Sequence, residues 1–205
     1  VTVAVSGTTD TKDESDTETF TIDLTNVTSS VSSAVTIATA QGTGTITDDD
    51  ASPTISINDV TTTNESDTAV FTISLSGSSG QTITVDYAIN DATATVLGLD
   101  YSGTLVDDDS TTGDGTATFT AGDTEVTVTV TTNEDAADEV NETFTIDLTN
   151  AANATISGAQ GTGTITDDDV TPTISVDDVT VTEGDTSGTT SAVFTITLSA
   201  PSGND

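Results

Sequence analysis

Apolar residues alternate with Thr, Ser and Asp along most of this chain. In residues 142–148, Phe144, Ile146 and Leu148 fall on one face and Thr143, Thr145 and Asp147 on the other, the two-residue period of a half-buried strand. The same alternation predicts strands at 54–62, 69–76, 82–89, 101–106, 116–120, 125–131 and 161–166. Val126, Val128 and Val130 face inward, and Val70 is offset from the Phe71, Ile73, Leu75 face. No stretch carries a 3.6-residue period or helix caps. Short alternating strands separated by Gly, Asp, Ser and Asn turns predict an all-β fold, a Greek-key immunoglobulin-like β-sandwich of about seven strands.

The pattern repeats. Thr-Asp-Asp-Asp begins at Thr47 and at Thr166, and Pro-Thr-Ile-Ser at Pro53 and at Pro172, both 119 residues apart. Two independent anchors with one period indicate tandem modules. Residues 1–50 are then the C-terminal part of one module, 51–169 a complete module, and 170–205 the N-terminal part of a third. Length differences fall at 27–40 against 151–159 and at 186–190, which marks those stretches as loops. Residues 106–115 read as a protruding hairpin or loop.

Composition narrows the chemistry. One Lys or Arg stands against 35 Asp and Glu, for a formal net charge of −34. Such a chain has nothing with which to neutralise phosphates, so nucleic acid and anionic membrane surfaces are not expected as partners. There is no Cys and no His, hence no disulfide framework, no thiolate or imidazole metal site and no imidazole base. Low aromatic content and high charge resemble disorder, but a disordered chain has no need of period-two alternation. No apolar run approaches the roughly 20 residues of a membrane helix, so direct membrane insertion is not expected. The chain opens on strand-like Val1-Thr-Val-Ala-Val5, inside a repeat, so its start carries no information about secretion.

The acids are clustered. Asp48, Asp49 and Asp50 close one strand, and Asp167, Asp168 and Asp169 another. Residues 133–142 form an acidic run before the Phe144 strand, with a shorter counterpart at 10–18. Asp100 precedes Tyr101, and Glu65 with Asp67 is matched by Glu183 with Asp185. Alternate loops of a sandwich reach the same end, so these loops are expected to meet at one tip. Like charges about 4 Å apart cost about 1 kcal/mol per pair in water and several times more near a protein surface. Solvated charge explains an isolated Asp, but several at one tip require compensation. Calcium takes six to eight oxygen ligands in flexible geometry, whereas magnesium takes fewer from protein and keeps more water. Ca2+ is therefore the expected cofactor.

Other motifs fail. Asp107–Gly113 begins like an EF-hand, but position twelve is Thr118 rather than Glu. Gly-Gly-x-Gly-x-Asp nonapeptides are absent, which removes a calcium β-roll. Paired carboxylates suit a glycosidase, but few aromatics are present to stack sugars, and no enzyme is expected.

The order Val-Thr-Val-Thr-Glu-Gly-Asp (179–185), Phe-Thr-Ile-x-Leu-Ser, Asp-Tyr (100–101), Gly-Asp (122–123), an acidic run, Glu-Thr-Phe-Thr-Ile-Asp-Leu-Thr-Asn and a closing Thr-Ile-Thr-Asp-Asp-Asp resembles the Calx-beta domain family. The resemblance covers the complete module and both partial ones. It implies calcium ligands at Asp100, Glu134, Asp135, Glu139, Glu142, Asp167, Asp168 and Asp169. The family's early Glu matches Glu183; in the complete module a straight count lands on Asn64, with Glu65 beside it. In the first piece, Asp10, Asp13, Glu14 and Glu18 are candidates, together with Asp48, Asp49 and Asp50. Ala136 and Ala137 stand where the family often has a further acid, which implies fewer ions than its fullest members hold.

Each Asp triplet lies immediately before the next module. The leading expectation is a calcium-rigidified structural repeat of a long adhesin, stalk or fibre at the cell surface or outside the cell, whose partners are neighbouring modules of the same chain. An alternative is a homopolymer of identical subunits, 170–205 of one completing 1–50 of the next by strand complementation. A calcium-sensing regulatory module is the third reading. The sequence names no adhesion target.

Overall fold

Thr, Val and Ile are stiff at χ1 and pack well on a pleated surface, and their alternation here produces strands and no helix among the described residues. The computed structural model describes residues 1–7, 9–15, 17–28, 35–96, 99–103, 114–185 and 187–203. In chain order the strands are β1 (Thr17–Asp23), β2 (Gln41–Thr47), β3 (Thr54–Ile57), β4 (Val60–Thr61), β5 (Thr68–Leu75), β6 (Ile83–Asp91), β7 (Tyr101–Gly103), β8 (Gly115–Phe119), β9 (Glu125–Thr132), β10 (Glu142–Ala152), β11 (Thr155–Gly158), β12 (Gln160–Ile165), β13 (Ile174–Val176) and β14 (Ile196–Leu198). Among the described residues, no helix is long and apolar enough to cross a membrane.

Strands β3 to β12 build a two-sheet sandwich with sheet orders β4-β12-β10-β6-β8 and β11-β3-β5-β9-β7. Inward residues of both sheets form one core: Ile55, Phe71 and Ile73 from one side meet Ile83, Val85, Phe144 and Ile146 from the other. Phe71 meets Phe144 edge-on at 5.8 Å between centroids, and Tyr101 stacks on Phe144 at 4.8 Å. Val128 and Val130 are buried as the alternation predicts, and Val70 is exposed.

Two features depart from the sequence expectation. The strand expected over 54–62 is two strands, because Asn58 and Asp59 divert the ladder. Asn58 Oδ1 accepts the Thr72 N–H at 2.6 Å, and Asp59 Oδ1 accepts the Thr162 N–H at 2.8 Å. The chain thereby crosses from the β5 sheet to a parallel pairing with β12. Strand β11, which alternation did not mark, pairs in parallel with β3 through Thr155 and Ile156. The loop expected at 106–115 lies mostly outside the described residues.

The flanking pieces form two separate hairpins. In β1–β2, Phe20 faces Gly44 and Ile22 faces Gly42; in β10–β12, Phe144 faces Gly163 and Ile146 faces Gly161. Likewise β13–β14 pairs Ile174 with Leu198 and Val176 with Ile196, the register in which β3–β5 pairs Ile55 with Leu75 and Ile57 with Ile73.

Candidate metal centre

At one end of the sandwich, four loops descend on the Phe144–Tyr101 end of the core. Glu65, Asp100, Asn133, Asp135, Glu139 and Glu142 line a single small cleft there. Each loop is shaped by its own hydrogen bonds. Asp67 accepts the Thr63 N–H and hydroxyl and the Thr68 N–H, which closes the 63–68 turn and holds the Asp67 carboxyl below its usual range. Glu65 is thereby turned inward and buried, while Asn64 accepts a hydrogen bond from Ser66. Of the two adjacent positions, Glu65 faces the acids.

Asp100 is anchored from both sides: its Oδ2 accepts the Thr95 N–H at 2.6 Å, and its carbonyl accepts the Asn133 N–H at 3.0 Å. Leu99, just before it, has φ of 71°, a left-handed conformation costly for a branched side chain and common where a binding loop is over-determined. The Asn133 side-chain amide donates to the Leu99 carbonyl, which supports that bend.

The closing triplet divides its work. Asp167 donates its N–H to Asn141 Oδ1 at 3.2 Å and accepts the Glu139 N–H at 3.1 Å. Asp168 is exposed and accepts the Glu65 N–H at 3.4 Å. Carboxylate oxygens of Glu65, Asp167 and Asp169 lie within 4.8 Å of one another. Asp169 Oδ2 is enclosed and has no hydrogen-bond donor, an arrangement that calls for a positive partner.

Electrostatics agree. Burial raises Glu65 to about 7 despite the Asp135 N–H that donates to it, with Asp135, Asp167 and Asp169 adding repulsion. Burial, with Asp100 and Glu139 nearby, raises Glu142 to about 7. Glu139 and Asp169 are also pushed upward, first by desolvation and then by surrounding acids, Glu134 among those acting on Asp169. The donors are all oxygen, several, carboxylate-rich and carried on loops, which suits Ca2+ better than a rigid octahedral ion. Of the residues expected here from sequence, Glu65, Asp100, Asp135, Glu139 and Glu142 line the cleft, Asp167 and Asp169 stand beside Glu65, and Glu134, Asp135 and Asp168 are exposed. Asn133 and Asn141, which position the acids, were not singled out as contributors; their place inside the acidic run was the available signal.

The first piece repeats the theme more loosely. Asp10, Glu14, Glu18, Asp48, Asp49 and Asp50 line one open cleft, and Asp50 is pushed upward by desolvation, then by Asp48, Asp49 and Asp10. Asp13 stands apart: its carboxylate accepts hydrogen bonds from Ser52, Ser79 and Gln81. Glu183 is exposed. Among the described residues, the carboxylates of these flanking pieces form no group as tight as Glu65, Asp167 and Asp169.

A family model for the Calx-beta domain matches residues 48–169. No curated protein matches the chain. Among solved structures it is similar to the crystal structure of CBD12 from CALX1.2, at 22% identity over 57% of this chain and 46% of that one, TM-score 0.49. It is also similar to the calcium binding domain CBD12 of CALX1.1, at 21% identity over 60% and 50%, TM-score 0.49. The apo-form Calx CBD1 domain gives 20% identity over 57% and 98%, TM-score 0.43. The chain spans about half the length of the first two.

Proposed function

This chain belongs to the Calx-beta domain family, and on that premise we propose that the tip of its complete module binds Ca2+ and that the ion stiffens the junction with the module that follows. The observation that carries the reading is the enclosed, donorless Asp169 oxygen beside Glu65 and Asp167. Glu65, Asp167 and Asp169 are the core of the ligand set, and Asp100, Asp135, Glu139 and Glu142, which share a cleft with Glu65, are the further oxygens from which a six-to-eight-fold shell would be drawn. Only Val170 and Thr171 separate Asp169 from Pro172, where the next repeat starts. A loop end that is metal-bound on one side and four residues from the start of β13 at Ile174 leaves little swing. The role that follows is a calcium-stiffened stalk or fibre segment outside the cell.

Calorimetric titration with CaCl2 is the direct test. Binding is expected in the wild type, with affinity lowered about tenfold or more in Asp169→Asn, because affinity follows ligand charge and count. Small-angle scattering should show a longer, narrower particle with calcium than with chelator. An unchanged melting temperature in excess chelator overturns the reading.

A further inference from the structure

Asp13 is the most deeply buried acid among the described residues, 6% exposed, yet it lies away from the candidate metal centre. A carboxylate enclosed to that degree must be compensated by donors, and all of its partners come from beyond the Asp48–Asp50 triplet. Its Oδ1 accepts the Ser52 hydroxyl at 3.0 Å, and its Oδ2 accepts the Ser79 hydroxyl at 3.0 Å and the Gln81 amide at 3.3 Å. The Asp13 carbonyl accepts the Gly80 N–H at 2.7 Å and the Ser79 hydroxyl at 2.9 Å. Ser52 lies in the linker, and Ser79–Gln81 form the turn after β5 of the next module.

A second copy exists at the other junction. Asp138 Oδ1 accepts the hydroxyl of Thr171, the linker residue equivalent to Ser52, at 2.9 Å. Its carbonyl accepts the Gly203 N–H at 3.1 Å, and it forms a parallel bridge with Ser202, as Asp13 does with Ser79. The glycines match too. A Cβ on Gly80 would meet Glu14 Cγ at 3.0 Å, and one on Gly203 would overlap the Glu139 carboxylate. Both turns are closely approached by a Glu side chain of the preceding module, which a Cβ would push aside.

We propose that Asp13 and Asp138 are inter-module latches: each seizes the linker hydroxyl and the Ser-Gly turn of the next copy of the module and sets its orientation. The partner is the following repeat, recognised by a Ser or Thr before the linker proline and a Ser-Gly pair after its β5 strand. The recognising groups are hydroxyls, an amide and backbone N–H groups, so the latch closes without metal. It is separate from the calcium reading, although Glu14 and Glu139, next in sequence to the latch residues, donate their N–H groups to Asp48 and Asp167.

The chain has no cysteine, so spin labels at Thr21→Cys and Thr118→Cys, both exposed, report the distance across the first junction in the full 205-residue chain. A single narrow distance peak is expected in calcium and in chelator alike. Asp13→Ala loses that peak even in saturating calcium, Asp13→Asn, which keeps one acceptor, loses less of it, and the melt of the complete sandwich is unchanged. Should Asp13→Ala disturb folding, the Ser52→Ala, Ser79→Ala double variant gives the same readout. A peak that stays narrow in these variants overturns the latch, as does a wild type that is broad in both conditions. A wild type narrow only with calcium also overturns it while leaving the calcium reading intact. A chain that binds no calcium and keeps its narrow peak does the reverse.

Discussion

The β10–β12 hairpin and the β1–β2 hairpin carry almost the same residues in the same register, and they have opposite fates. Ile165 is 4% exposed and its counterpart Ile46 is 48% exposed. The second pair of hairpins repeats the lesson: Phe71 of β5 is fully buried, while Phe194, its counterpart beside β14, is 58% exposed. Local pairing is thus separable from burial. Alternation and facing residues are enough to set the register, but only the opposing sheet removes those faces from water. Each large apolar side chain so buried adds about 1.5–3 kcal/mol, and that contribution is concentrated in the β3–β12 sandwich. To bury its faces, a flanking hairpin needs counterparts of β6 and β8, because β6 pairs with β10 and supplies Ile83, Val85 and Tyr87 to the core. A complement assembled from residues 170–205 and 1–50 alone lacks both strands.

The contrast can be broken by substitution at paired positions. Phe144→Ala should cost about 3–5 kcal/mol in denaturant unfolding, by cavity formation beneath Tyr101 and Phe71, whereas Phe20→Ala should stay within about 0.5 kcal/mol. Removing calcium should lower the complete module's stability by about 2.7 kcal/mol when free calcium was a hundredfold above the dissociation constant. Thermal melts with and without chelator measure this, and near-ultraviolet signals from the flanking hairpins should not follow it. Gly163→Ala places a methyl group into the Phe144 ring and should cost about 1–3 kcal/mol. Gly44→Ala makes the same overlap with Phe20, but that half-exposed ring can swing away, so the cost should be under about 0.5 kcal/mol.

The smallest effect is on pH dependence. Glu65 and Glu142 titrate near 7 in the folded, metal-free protein, above the ordinary 4.5. Raised folded values mean that protonation favours the fold. Their contribution is full below pH 4.5 and is lost as pH rises through about 7. Metal-free protein should therefore melt lower at pH 8 than at pH 5, and calcium should bind more tightly at pH 8, where no protons need be displaced. Melting curves and titrations at the two pH values check both signs.

Much of the fold is legible because alternation reports which face is inward, as at Phe71, Ile73 and Leu75. The break at Asn58–Asp59 is not, because it depends on side chains replacing ladder bonds from β5 and β12, which are distant in sequence. Strand β11 escaped notice because Thr155–Gly158 is short and only half-covered. At the candidate metal centre, the gathering of Glu65, Asp100, the acidic run and the triplet follows from loop order in a sandwich. The division of labour among neighbours does not. Asp13 and Glu14 are adjacent and alike in charge, yet one is enclosed by the hydroxyls of Ser52 and Ser79 and the other lines an acidic cleft. That difference is set by partners more than thirty residues away.

The crossing of the chain from β3 to β4 has a mechanical consequence. It brings the entry strand alongside the exit strand: Val60 and Thr61 run parallel to Gly163 and Thr164, and Thr62 and Thr166 extend the seam with three further hydrogen bonds. When a module is stretched by its two ends, parallel neighbours are dragged in opposite directions along their length. The bonds between them are then strained together in shear, instead of opening one after another like a zipper. A tether built from such modules would meet tension in shear at this seam, alongside the pairings of β3 with β5 and β11.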